Sequence, residues 1–168
     1  SILWQNIYSG IFRDLDEVLI PAGIVKEGGR LPLRRGPRAL QLEGVPFYEL
    51  SEAGLLVASS IEELANDRMR MLKSYIMSVP VKDQNDKVIH EAISLLIRLA
   101  PSFISKLIRE YVYAYSIGLI DSITPINTKK LQSVVSKQII VERELIEAFI
   151  VLQSDQKELV RNFFKLIG

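Results

Sequence analysis

Few residues of the chain have the types and spacing that catalysis or metal binding requires. His90 is the only histidine and cysteine is absent, so a histidine pair, a thiolate zinc site and a cysteine nucleophile are excluded. No acidic cluster follows or precedes His90, which favours a helix-surface or interface histidine over a general base. The serines at 59, 60, 133 and 136 have no histidine or lysine at motif spacing. We therefore expect a protein that is not an enzyme and that needs no metal or cofactor.

Two further patterns have simple structural interpretations. Gly28-Gly29 could begin a phosphate-binding loop, but no Gly-Lys-Ser/Thr follows, so a tight hairpin turn is the better prediction. Glu142, Glu144 and Glu147 share one predicted helix with Arg143 and are most simply its solvated face. Neither pattern indicates a catalytic site.

A cluster of basic side chains is the strongest charge feature of the sequence. Five of them fall within thirteen residues and are opposed only by Glu27: Lys26, Arg30, Arg34, Arg35 and Arg38. Such a set is suited to weak, salt-dependent contact with nucleic-acid phosphates, and it equally suits a solvated, exposed strand. The net charge of +1 argues against binding by bulk attraction, and no aromatic residue interrupts the run to stack on bases.

The run Tyr111-Val-Tyr113-Ala-Tyr115 distributes three rings around one predicted helix, so at least one ring must face away from the local core. Tyrosine is favoured where an apolar surface meets water, as at protein interfaces. Tyr111 and Tyr115 fit core packing as well as an interface, whereas Tyr113 is the better interface candidate.

The elements that must position these residues differ between the two ends of the chain. Residues 1–44 contain most of the glycines and three of the prolines, which permits only short strands and turns. Strands are predicted at Glu17–Ile20, at Arg30-Leu31 and at Arg38–Leu42, the last two from period-two alternation. A unit of about 40 residues buries little apolar surface by itself, so we expect it to pack against a neighbouring unit.

Helical patterns dominate from residue 60 onward. Ser60 and Glu63 match a capping box, and apolar residues follow at three- and four-residue spacing as far as Ile76. Further helices are predicted from Lys87 to a break at Pro101, from there to Gly118, after Asn127 as far as Ile150, and from Ser154. The predicted class is α+β: a small β-rich domain at 1–44 and a helical bundle at 45–168.

The mean hydropathy of +0.18 is high for a chain whose charges are balanced. The longest uncharged stretch, Ser1–Phe12, is shorter than the roughly 18 apolar residues that cross a bilayer, and it lacks the basic start of a signal peptide. We expect no membrane association. The apolar surface of the helices exceeds what one bundle needs, which predicts a protein partner.

Several motifs in order resemble the GINS family of replication factors, in the subunit class with a small β domain first and a helical domain second. Glu17–Pro21 is similar to the opening strand, Gly29–Gly36 to the segment with glycine and arginine, and Gly44–Leu50 to the junction with the helical domain. Gly54–Val57, the segment Ser60–Arg70 and Val79-Pro80 continue the pattern. Tyr48 and Leu50 stand where the family usually has tryptophan and alanine.

The resemblance implies a non-catalytic scaffold of archaeal type, acting in the cytoplasm at the nucleoid and the replication fork. It would form a 2:2 heterotetramer with a paralogue of reversed domain order. It would bridge the MCM helicase and a RecJ-like protein of the DHH family, with primase as a further contact and only indirect or weak contact with DNA. Candidate subunit contacts are Phe47, Tyr48, Ile61, Leu64, Met69, Leu72, Phe103, Ile104 and Tyr113. The alternative is a small nucleic-acid-binding module that uses the basic 26–38 segment.

Overall fold

The first element that the structure describes is helical rather than extended. A computed structural model of the chain describes residues 9–32, 36 and 38–167. Residues 9–14 form an α-helix that continues into a π-helical turn at Leu15–Leu19, closed by a 3.0 Å hydrogen bond from the Ile20 amide to the Leu15 carbonyl. The strand predicted at Glu17–Ile20 is therefore wrong. A strand needs a partner strand, and this segment has none among the described residues.

Two strands pair antiparallel: β1 (Val25–Leu31) and β2 (Val45–Leu50). The register runs from Val25 opposite Leu50 to Leu31 opposite Val45 and shifts between Glu27 and Gly29. Gly28-Gly29 therefore lies inside β1 at this irregularity, and the hairpin turn predicted there is wrong. A Cβ atom at Gly28 would overlap the ring of Phe47, which explains why the strand carries glycine at this point.

A short helix, α1 (Arg38–Glu43), stands between the strands where a strand was predicted. Gly44 follows it with φ of +74°, the left-handed conformation that commonly ends a helix. The sheet extends to Leu50, so the predicted boundary at residue 44 falls between its two strands. The division into two domains stays a prediction.

After the sheet, the chain forms two short helices before a longer helix. Helix α2 (Glu52–Ser60) is followed by a 3₁₀ helix (Glu62–Asp67) and by α3 (Arg68–Ser78). Ser60 is the last residue of α2 and donates its hydroxyl to the Val57 carbonyl, so the predicted Ser60–Glu63 capping box is wrong. The true cap is Ser51, whose Oγ accepts from the Gly54 amide at 3.0 Å.

The remaining helices are α4 (Gln84–Leu99), α5 (Pro101–Ser116), α6 (Thr128–Val135), α7 (Ile139–Val151) and α8 (Ser154–Ile167). The break at Pro101, the start after Asn127 and the final helix from Ser154 are confirmed. The predicted single helix to Ile150 is split, because residues 136–138 form a turn between α6 and α7. The class is α+β: the described residues are mainly helical and form one two-stranded antiparallel sheet.

The core is built from α2 to α5 and from the loop between α5 and α6. Its fully buried members include Leu56, Leu72, Ile104, Ile108 and Tyr111. The loop adds Ile120, Ile123 and Ile126, and the Ile126 amide donates to the Tyr75 hydroxyl at 2.8 Å. Burial raises the pKa of Tyr75 to about 12. No residue of α7 or α8 is buried.

None of the helices formed by the described residues combines the length and apolar character that a bilayer crossing requires.

Candidate functional site: a cleft between the 3₁₀ helix, α3 and α5

A half-open cleft lies between the 3₁₀ helix, α3, the end of α4 and the first turns of α5. Its volume is about 340 Å³. The lining is mixed in character and comprises Glu62, Ala65, Asn66, Arg68, Met69, Leu72, Ile97, Pro101, Ser102, Ile104, Ser105 and Arg109. An apolar floor with charged groups around it is typical of a protein-binding surface.

Ion pairs organise the charged side of this cleft. The Glu62 carboxylate lies 3.0 Å from Nη1 of Arg109 and 3.4 Å from Nη2 of Arg68. Nε of Arg68 also donates to the Ser59 carbonyl at 2.7 Å, which holds the end of α2 beside the start of α3. One carboxylate thus links three elements. The two guanidinium groups have a carboxylate partner, so the site shows no unpaired positive charge for an anionic ligand.

The cleft brings together some of the predicted interface residues and separates others. Met69 is half-exposed at the cleft, and Ile61 and Leu64 are exposed to a similar degree on the neighbouring segment. Leu72 and Ile104 also line the cleft, but each is only 1% exposed and belongs to the core. This corrects their assignment to a partner-facing surface. Both belong to the apolar stripe of their helix, and that stripe packs against the core of this chain and forms the floor of the cleft.

The other predicted contacts lie elsewhere. Tyr113 is 60% exposed on α5, whereas Tyr111 is fully buried on the same helix. Phe103 is partly buried against the core on the side of α5 that faces α7. Phe47 and Tyr48 are on β2, where the Phe47 ring packs over the two glycines of β1.

The basic cluster is partly neutralised. Nζ of Lys26 lies 3.1 Å from a Glu49 carboxylate oxygen, and Nε of Arg30 lies 3.4 Å from that of Glu27. Arg38 is exposed at the start of α1, and Arg34 and Arg35 lie outside the described residues. Cross-strand pairing of Lys26 with Glu49 was not visible in the sequence, because the partner is 23 positions away and is set by the strand register.

The titratable residues considered for chemistry are dispersed. His90 is buried on α4, which corrects the expectation of a surface histidine. Glu142 is paired with Lys106 at 3.3 Å; a hydrogen bond from its own backbone amide, aided by Lys106, lowers the pKa of its carboxyl group. Glu147 pairs with Arg143. Within the described part of the chain, no three His, Asp or Glu side chains converge as a metal site would require.

Sequence reasoning missed the Glu62–Arg68–Arg109 group. Arg109 is 47 residues from Glu62, and no local pattern marks the pair. Arg109 lies between Lys106 and Glu110 on α5, and nothing in the sequence distinguishes it from these neighbouring charges.

Comparisons of the chain with protein-family models, with curated proteins and with solved structures found no match in any of the three.

Proposed function

We propose that this chain is a non-catalytic scaffold subunit of a GINS-type complex. In this role it pairs with a paralogue of reversed domain order and connects the MCM helicase to a RecJ-like protein during DNA replication. The observation that carries the proposal is the ordered sequence resemblance from Gly29 to Arg70, the last part of which forms one side of the cleft. The segment Glu17–Pro21, which resembles the family's opening strand in sequence, is helical in this chain. The half-exposed Met69, Ile61 and Leu64 give that region an apolar surface of the kind that subunits bury on assembly.

The polar part of the cleft supports binding rather than catalysis. Glu62 is held between Arg68 and Arg109, so its position is fixed by two charged partners at the edge of an apolar floor. Fixed charges at an interface edge favour a partner of complementary charge and disfavour others. A scaffold needs this selectivity and needs no group that exchanges protons with a substrate.

Co-expression with the reversed-order paralogue of the same genome tests the proposal. We expect a stable 2:2 complex by size-exclusion chromatography with light scattering. Met69→Asp should weaken the association at least about tenfold, because it places a charge at the apolar part of the cleft. Val88→Asp on α4 is the matched control, since Val88 is an exposed apolar residue outside the cleft.

A chain that ignores the paralogue would contradict the proposal, and so would a complex that leaves unwinding by the MCM helicase unchanged. If Met69→Asp and Val88→Asp weaken the association with the paralogue equally, the cleft is not the contact surface of the complex.

The nucleic-acid-binding alternative is not favoured by the geometry of the described residues. Lys26 and Arg30 each have a carboxylate partner within 3.4 Å, which offsets their charge where phosphate contact was predicted.

A further inference from the structure

A shallow groove lies along α4 and shares no lining residue with the cleft. Its volume is about 440 Å³, and it is open to solvent. One wall consists of Ile76 near the end of α3 and Val81 in the connection to α4, and the other wall belongs to α4 itself. The residues of α4 that line this α4 groove are His90, Glu91, Ser94, Leu95 and Arg98.

His90 is a buried polar side chain whose hydrogen bonds the fold does not supply. Only 7% of the residue is exposed, and neither ring nitrogen has a hydrogen-bond partner among the described residues. In that part of the chain, the side-chain polar atoms that are both fully enclosed and without a partner belong to Tyr111 and Glu142. The ring nitrogens of His90 are therefore reached from the α4 groove, and their partner must come from outside this chain.

Two more polar groups without partners lie on the same stripe of α4. Ser94 and Arg98 follow His90 at i+4 and i+8, which places the three within an arc of about 80° around the helix. The Ser94 hydroxyl and the Arg98 guanidinium form no hydrogen bond or ion pair with another described residue. Because Cα–Cβ bonds tilt toward the start of a helix, the long side chain of Arg98 is inclined toward Ser94 and His90.

The other charge at the α4 groove is compensated. A carboxylate oxygen of Glu91 lies 3.9 Å from Nζ of Lys87, one turn earlier on α4. Arg98 has no such partner within the described ranges. The groove therefore has one uncompensated positive charge, which is complementary to a single carboxylate. A phosphate carries nearly twice that charge and is usually bound by a cluster of arginines.

The lining combines oxyanion donors with an apolar surface. A guanidinium binds a carboxylate through two parallel hydrogen bonds, and a hydroxyl and an imidazole can each donate one more. Val81 and Leu95 are 53% and 48% exposed and provide contact for an apolar side chain. A small-molecule ligand usually buries roughly 70–90% of its surface in a concave pocket, which an open groove does not allow. A peptide segment that lies along the groove has no such requirement.

We propose that the α4 groove binds an acidic peptide segment of a partner protein. A carboxylate of the segment meets Arg98 and accepts hydrogen bonds from Ser94 and His90, while a neighbouring apolar side chain packs on Val81 and Leu95. Arg98 supplies the attraction for the carboxylate, and the buried His90 adds specificity because its ring is held by the fold. This site goes beyond the proposed function, because it involves neither the cleft nor the paralogue.

The single histidine provides a direct test, since the imidazole resonances in heteronuclear NMR spectra of the untagged full chain come from His90 alone. The probe is a pool of terminally blocked hexapeptides in which a glutamate lies between two large apolar residues. The tightest binder is then synthesised with glutamine in place of the glutamate. We expect the glutamate peptide to shift the imidazole resonances and to bind at least about tenfold more tightly than its glutamine counterpart.

Two variants locate the binding site. Arg98→Gln should weaken binding of the glutamate peptide at least about tenfold, and the exposure of Arg98 makes loss of the fold unlikely to interfere. His90→Phe keeps a ring at the buried position and should weaken binding at least about threefold. Arg143→Gln on α7 is the matched control, since it removes the same charge from an arginine whose ion pair with Glu147 lies outside the groove. Circular dichroism checks the fold of each variant.

Four results would overturn the proposal. These are imidazole resonances that no peptide shifts, equal affinity for the glutamate and glutamine peptides, equal effects of Arg98→Gln and Arg143→Gln, and an equal shift with sodium acetate at the concentration of the peptide. The last result would assign the site to a free carboxylate. None of the four bears on the complex with the paralogue, which the Met69→Asp variant tests separately.

Discussion

Two core tyrosines, Tyr75 and Tyr111, have the same side chain and differ in what their hydroxyl groups meet. The Tyr75 hydroxyl accepts the Ile126 amide at 2.8 Å and so ties the loop after α5 to α3. The Tyr111 hydroxyl is buried and has no hydrogen-bond partner among the described residues. Burial raises the pKa of both phenols, so both stay neutral throughout the physiological range.

Removing these two hydroxyls should have opposite effects on stability. Tyr75→Phe leaves the buried Ile126 amide without its acceptor and should lower the free energy of unfolding by about 1–2 kcal/mol. Tyr111→Phe removes a buried polar group that makes no hydrogen bond, so it should be neutral or stabilise by up to about 1 kcal/mol. Urea denaturation of both variants measures the difference. A larger loss for Tyr111→Phe would contradict the assignment of the partners.

At the scale of the element, the sheet and α2 are joined by a small number of atoms. The Ser51 hydroxyl donates to the Gly23 carbonyl, while its oxygen caps α2 through the Gly54 amide. The Ser51 amide bonds to the Ile24 carbonyl at 3.0 Å. A Cβ atom at Gly54 would overlap the carbonyl oxygen of Ile24 and lie 3.2 Å from Cδ2 of Leu50. The helix therefore approaches the backbone before β1 only because residue 54 is glycine.

Gly54→Ala should destabilise the chain although alanine is the better helix former. The propensity gain of about 1 kcal/mol is outweighed by overlap with a backbone oxygen, which should leave a net loss of about 2 kcal/mol. Gly10→Ala is the control: Gly10 is helical and a Cβ atom there has no neighbour within 4 Å, so it should stabilise by about 0.5–1 kcal/mol. Thermal unfolding compares the two; stabilisation by both would contradict the close approach.

The failed strand predictions have one physical cause at this scale. Alternation of apolar and polar residues at Arg38–Leu42 fits a half-buried strand, but a strand gains its hydrogen bonds only from a neighbour. The neighbour of β1 is β2, and α1 forms from local hydrogen bonds between them. The helix start after Asn127 was better predicted, because Asn127 caps α6 through the amide of Lys130, three residues away in sequence. Helix α4 begins at Gln84 with Asp83 as its cap, three residues before the start predicted at Lys87.

For the whole molecule, stability resides in α2 to α6 and the loop after α5. The core cluster runs from Leu56 to Ile126, and Val135 is the last buried residue. Helix α7 attaches to this body through the ion pair of Glu142 with Lys106, and Ile139 lines a small cavity together with Leu107 and Val135. Helix α8 contacts α7 through Lys157 and Arg161, which lie over the Phe149 ring.

A chain ending at Lys137 should therefore fold with little loss. The deleted part contains no buried residue and one partly exposed ion pair to the body, so the free energy of unfolding at low concentration should fall by less than about 2 kcal/mol. Ile108→Ala in the intact chain is the comparison and should cost about 2–5 kcal/mol. Urea denaturation measures both. A truncated chain that fails to fold would show that α7 and α8 belong to the core.

The sequence alone determined some local features of this protein: the helix start after Asn127, the break at Pro101 and the predominance of helix. These follow from interactions within a few residues or from composition. Tertiary structure decided which stripe of each helix faces inward, which strands pair, that Glu62 meets Arg109, and that His90 is buried. Each of these depends on residues far apart in sequence, and no local pattern contains that information.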